Sequence, residues 1–241
     1  MQLLFEELDY QETPLGGICL RRRADPRLEG LVIYEVSLGE EFLMSSLFTE
    51  AEIELSTLAL AAIDFEKMDV VVGGLGLGYT AAAALQEERV ASLRVIEVMP
   101  AVIDWHQRHL VPLGEQLSGD ARCELHCADF FAMAESSEAG FHEDEPGRLV
   151  HAVLLDIDHS PTHWLNPDNS RFYTEEGLKL LAAKIHPRGI FGLWSNDPPD
   201  ENFIARLEAV FPRVEHHVVS FDNPYTGGQA SNTVYLAHRS E

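Results

Sequence analysis

Three things are scarce in this chain: positive charge, cysteine and long apolar runs. Of 241 residues, 17 are Lys or Arg against 40 Asp or Glu, giving a formal net charge of −23 at pH 7. A phosphate backbone is bound by neutralising it with Lys and Arg, so this balance argues against nucleic acid and anionic lipid as partners. Three cysteines, Cys19, Cys123 and Cys127, are too few and odd in number for a disulfide framework and point to a reducing, cytoplasmic setting. Cys123 and Cys127 lie four apart in a strand-like segment and are expected to pack as small buried groups. No apolar run approaches the roughly 18 residues of a membrane span. The opening Met1-Gln-Leu-Leu-Phe-Glu-Glu-Leu-Asp9 also lacks the basic start and small-residue cleavage site of a signal peptide. Neither a membrane partner nor export is expected.

What remains is 46% hydrophobic, ample for a core without staples. Residues 1–48 read as a small β appendage: Ile18-Cys-Leu-Arg21 as a strand, then a hairpin of Leu31–Val36 and Glu41–Met44 around Leu38-Gly39. From 49 to 241 strands alternate with helices. Thr49 is placed as the N-cap of a largely apolar helix. Strands are expected at Val70–Val72, Leu93–Glu97, Cys123–His126, Val150–Asp156, Ile190–Trp194, Val214–Phe221 and Thr233–Ala237. Helices are expected from Tyr79, from Pro100, from Phe172 to Ile185 and from Glu201, with a solvated loop from Glu135 to Arg148. The alternation predicts an α/β sandwich with a mostly parallel sheet and helices on both faces.

Chemistry-bearing residues gather at strand ends. Gly74-x-Gly76-x-Gly78 joins a strand to a helix, the context in which glycines let backbone approach a nucleotide. Glu97 ends the next strand about 20 residues on, where a carboxylate can accept both ribose hydroxyls. Asp129 ends the third strand, as an acceptor for an adenine amino group, as a helix N-cap, or as both, with Phe130 beside the ring. No Lys follows the glycines, which argues against a P-loop and leaves a nicotinamide or flavin nucleotide open. In Leu154-Leu-Asp-Ile-Asp-His-Ser-Pro161, Asp156 ends a central strand at the edge where open α/β sheets bind ligands, and Asp158 either joins it or braces the loop.

This succession of strand, glycine turn, Glu97, Ala128-Asp129 and Asp156 resembles the class I S-adenosylmethionine-dependent transferase fold, a Rossmann-like seven-stranded sandwich. More narrowly it is similar to the spermidine synthase branch, over about residues 10 to 240, including the turn Pro187-Arg-Gly189. The resemblance implies S-adenosylmethionine or its decarboxylated form as co-substrate, with no metal, and a small cationic amine as acceptor. It also implies Asp156 as the carboxylate that orients and deprotonates the attacking amine, and a homodimer. Two positions depart from the branch. Gly76 stands where the family's loop Asp binds the amine of the decarboxylated donor, and His159 where a second Asp grips the polyamine.

These departures put methyl transfer from intact S-adenosylmethionine ahead of aminopropyl transfer. Aminocarboxypropyl transfer stays open, and a non-catalytic nucleotide-binding module is the competing class. The acceptor pocket is expected to be walled by Asp158, His159, Trp164, Tyr173 and Trp194, and the loop Asp222–Gly228 is either a lid anchored by Tyr225 or a plain solvent hairpin. A metal at Asp156, Asp158, His159 and His163 is not expected, because no helical spacing aims them at one point. His106, His109, His216 and His217 read as ordinary surface or core histidines.

Overall fold

The computed structural model describes residues 5–136, 140–142 and 144–239. The chain opens as an antiparallel meander: β1 (Phe5–Thr13), β2 (Gly16–Asp25), β3 (Leu31–Leu38) and β4 (Glu41–Ser45). Gly39, at φ 58°, supplies the left-handed conformation needed in the tight β3–β4 turn. Alternation sends Ile18, Leu20, Val36 and Leu38 into the core. Glu35, on the same meander, instead pairs with Arg21 (2.7 Å) and Arg23 (2.9 Å).

The rest of the chain is the expected sandwich. In order it forms α1 (Glu50–Ala61), β5 (Met68–Gly73), α2 (Tyr79–Gln86), β6 (Val90–Glu97), α3 (Pro100–Gln107), α4 (Gly114–Gly119) and β7 (Cys123–Cys127). It continues with α5 (Phe130–Glu135), β8 (Val150–Leu155), α6 (Glu175–Ala182), β9 (Ile185–Ser195), α7 (Glu201–Glu208), β10 (Arg213–Asn223) and β11 (Gly228–His238). The sheet order is β10-β11-β9-β8-β5-β6-β7, parallel from β7 to β9 and antiparallel where β11 meets β9 and β10. Valine fills β5 because both faces are covered: Val70 and Val72 enter one core, Val71 the other. Helix α1 seats Leu55 over Gly192 of β9, where a Cβ would stand 2.8 Å from the leucine methyl. Arg89 donates to the carbonyls of Leu60 (3.0 Å) and Ile63 (2.9 Å), satisfying groups that the helix end leaves free. No helix among the described residues is long and apolar enough to cross a membrane.

Several expectations are corrected. Thr49 precedes α1 but its side chain makes no cap bond. The helix expected from Phe172 begins at Glu175, capped by Thr174, because Phe172 and Tyr173 are drawn into the core first. β9 is longer than expected and takes in Pro187-Arg188-Gly189, with a register shift against β8 and Arg188 at φ 65°. Helix α4 has no apolar period that would announce it. Cys127 is exposed and Cys123 only half-buried, all three thiols being free. Burial pushes the Cys123 thiol up to about 12. Within the loop expected from 135 to 148, residues 137–139 and 143 lie outside those described, and Phe141 is fully buried rather than solvated.

Candidate active site

The carboxyl ends of β5, β6 and β8 open on one cavity, roofed by residues of the N-terminal meander. Its polar lining includes Glu52, Glu97, Asp129, Asp156, His159 and Asn169.

The glycine turn is shaped by what surrounds it. Gly74 has φ 93°, and a Cβ there would run into the main-chain carbonyl of Asp156, so no other residue fits. At Gly76 (φ 47°) the space a side chain would take is filled by the Met44 thioether of β4, whose Sδ accepts the Leu77 N–H at 3.1 Å. His106 of α3 fixes the same turn from behind. It is fully buried, its Nε2 lies 2.9 Å from the Gly76 carbonyl, and burial lowers its pKa, so it is the neutral Nε2–H form that donates.

Glu97 is anchored by its neighbours. Its Oε2 accepts the Leu75 N–H (3.0 Å) and its Oε1 the Met99 N–H (2.9 Å). Burial raises its pKa, and backbone N–H groups pull it back down. A carboxylate has about four acceptor sites, so capacity remains for a diol. Asp129 caps α5: Oδ1 accepts the N–H groups of Phe131 (2.9 Å) and Ala132 (3.1 Å). Its second oxygen has no partner among the described residues. Phe130 lines the cavity but is a core residue first, lying against Gly73 and stacked on Phe141 at 5.5 Å.

Asp156 accepts the Thr80 hydroxyl at 2.6 Å, and burial lifts its pKa to about 6. Glu52 of α1, which the sequence reading passed over, lines the same cavity at 7% exposure. Its pKa is raised well above the usual range by burial and by the charge of Asp156. Asp158 does not join them. It is 3% exposed and spends its oxygens on the Leu165 N–H (2.8 Å), the Asn169 amide (3.0 Å) and the Tyr173 hydroxyl (2.8 Å), bracing the loop.

The acceptor wall expected from sequence is therefore only partly assembled. His159 and Trp194 line the cavity. Tyr173 does not, being fully buried in the aromatic core with its hydroxyl on Asp158. Trp164 turns its indole N–H to the Pro161 carbonyl (2.9 Å), within its own turn. Tyr225 is held away from the cavity by Asp25 (3.0 Å) and Arg23 (2.9 Å), with Arg27 over its ring, so it fastens the β10–β11 hairpin to the meander instead of anchoring a lid. Among the described residues, the potential ligand atoms of Glu41, His159 and His163 lie within 4.8 Å of one another. His159 Nε2 and Glu41 are 3.0 Å apart, an ion-pair or hydrogen-bond distance that links the meander to the β8 loop. Asp156 and Asp158 are not part of that group.

Searches by sequence find no matching family model and no matching curated protein. The fold has clear relatives among solved structures. A spermidine synthase in complex with the transition-state analogue AdoDATO superposes at TM-score 0.73 with 17% identity, over 97% of this chain and 74% of the other. The enzyme from Thermotoga maritima gives 0.71 with 16% identity, over 97% and 72%. This is the spermidine synthase fold. A probable spermidine synthase from Corynebacterium glutamicum shares it at TM-score 0.63 and 16% identity, over 97% and 79%. The N-terminal meander is included in that coverage, which confirms that the resemblance extends past the nucleotide-binding sandwich. It is the meander that brings Met44 and the cavity roof into the site.

Proposed function

We propose that the protein is a transferase that moves an aminopropyl group from decarboxylated S-adenosylmethionine to a small cationic amine, releasing methylthioadenosine. The observation that carries this reading is a half-buried Asp156 facing the same cavity as the glycine turn and Glu97, under a meander of the kind found in the solved spermidine synthases. An ammonium must lose a proton before it can attack the carbon next to a sulfonium. A carboxyl whose pKa burial lifts to about 6 can hold the cation and take that proton at neutral pH. Glu97 and the glycine turn would hold the ribose and the adjoining chain of the nucleotide, with Asp129 at the adenine edge. Catalysis then rests on positioning the two reactants in line and keeping water out.

The sequence reading put methyl transfer first because Gly76 and His159 lack the branch's carboxylates. Aminopropyl transfer now leads, since Glu52 brings to the cavity a further carboxyl beside Asp156, and the structural relatives are spermidine synthases. Methyl transfer stays as the second reading on one observation: at Gly76 the donor's tail would meet a thioether and glycine, with no carboxylate to repel an intact donor. The test is to incubate the protein with each donor and a panel of diamines and monoamines. Methylthioadenosine from the decarboxylated donor is expected. S-adenosylhomocysteine from the intact donor would install the second reading, methylthioadenosine from the intact donor would mean aminocarboxypropyl transfer, and neither product would leave a non-catalytic nucleotide-binding module.

A further inference from the structure

Glu52 lies in the first turn of α1, where an acid has two ordinary structural uses. It can favour the helix N-terminus through the dipole, or reach back to the N-cap N–H in a capping box. The second use is already taken: the Thr49 N–H is accepted by Glu50 at 3.0 Å. The first is served by Glu50 as well, and it would be served equally by an exposed carboxylate. Glu52 is instead 7% exposed, its Oε2 has no hydrogen-bond partner, and no Lys or Arg among the described residues pairs with it. Burying a carboxyl without a partner destabilises a protein, so its direction into the cavity calls for a ligand.

The groups around it narrow the ligand. Asp156 at the end of β8 lines the same cavity. Thr80 of α2 touches both residues, its hydroxyl donating to Asp156 and lying 3.4 Å from the Glu52 carbonyl. The other titratable groups acting on Glu52 are Glu50 on its own helix and the Tyr79 phenol on α2, whose pKa burial and the Glu52 charge push up. Glu97, Asp129 and His159 line the same cavity, and no Lys or Arg among the described residues does. Burial raises both carboxyls and the charge of Asp156 raises Glu52 further, so between them they keep one proton near neutral pH.

Building on the transferase reading above, we propose that Glu52 and Asp156 together form the seat of the acceptor's reacting nitrogen, a carboxylic acid–carboxylate pair that takes a primary ammonium and rejects neutral and anionic acceptors. When the ammonium enters, the shared proton leaves to solvent and both carboxylates hold the cation. The ammonium then passes one proton to Asp156. Its lone pair forms a C–N bond to the carbon bound to sulfur, the C–S bond breaks with its electron pair staying on sulfur, and the products are a neutral thioether and a secondary ammonium. Glu52 keeps the nitrogen in place through this exchange.

The test is calorimetry of a four-carbon diamine binding to the protein saturated with methylthioadenosine, near pH 6.5, in two buffers of different ionisation enthalpy. Wild type is expected to release most of one proton per diamine bound. Glu52→Gln is expected to abolish the release and weaken the diamine about 10-fold or more, the scale of a hydrogen bond to a charged group, while methylthioadenosine binds as before. Glu52→Asp, which keeps the charge, is expected to restore the release with weaker affinity, and it stands in if the Gln variant does not fold. Undiminished diamine binding and proton release in both variants would overturn the seat and leave the transferase reading intact. Failure of wild type to bind methylthioadenosine would overturn both.

Discussion

At the scale of single residues, the site depends on positions where one atom more or less decides the outcome. Gly74 is both left-handed and pressed against the Asp156 carbonyl. Gly74→Ala is therefore expected to abolish nucleotide binding in an equilibrium titration and to cost about 1–3 kcal/mol of stability, since a strained φ is added to a backbone clash. Asp129 has a visible structural duty as the cap of α5, so Asp129→Ala should lose about 1 kcal/mol by thermal unfolding. Asp129→Asn should keep most of that stability because Asn also caps, and any loss of nucleotide affinity it shows then reports on the free oxygen. Gly74, Glu97, Asp129 and Asp156 were legible in the sequence because each ends a strand or opens a helix, and strand ends in an open α/β sheet converge on one edge. Glu52 was not legible: an acid in the first turn of a helix looks like a dipole partner until the fold buries it beside a cavity.

At the scale of elements, the structure redistributes residues that the sequence had assigned to a pocket. Tyr173 and Asp158 form one buried hydrogen bond that ties the β8 loop to the entry of α6. Tyr225 ties the β10–β11 hairpin to β2 and the turn after it, through Asp25, Arg23 and Arg27. Tyr225→Phe is expected to leave KM for the acceptor unchanged while amide hydrogen exchange quickens across Asn223–Gly228. A rise in KM without faster exchange would return this residue to the pocket. The loop between the last two strands looked like a lid because it is rich in Gly, Asn and Pro. Turn chemistry says that a segment bends and is silent about what its tip meets.

At the scale of the whole molecule, the net charge of −23 and the buried acids act in the same direction on pH. Asp156 has a folded pKa near 6, above its ordinary 3.8, so folding favours its protonated form. The associated stability is fully present below about pH 4 and is lost as pH rises through 6. Asp156→Asn removes that loss. It should match wild type near pH 4 and exceed it by about 2–3 kcal/mol at pH 8 in denaturant titrations, while turnover falls sharply. Added salt should raise the wild-type Tm at pH 8, because screening relieves repulsion among exposed carboxylates.

The sequence by itself determined the sandwich, its strand order of glycine turn, Glu97, Asp129 and Asp156, and the edge where they meet, since apolar periodicity and glycine turns are local signals. Tertiary structure decided which carboxyls share the cavity. The meander of residues 5–45 folds over the strand ends, fills the Gly76 niche with Met44 and helps close the cavity into which Glu52 of α1 points. Those contacts join positions tens of residues apart in the chain, and burial, which turns an ordinary helix-start acid into an unpartnered one, exists only once they form.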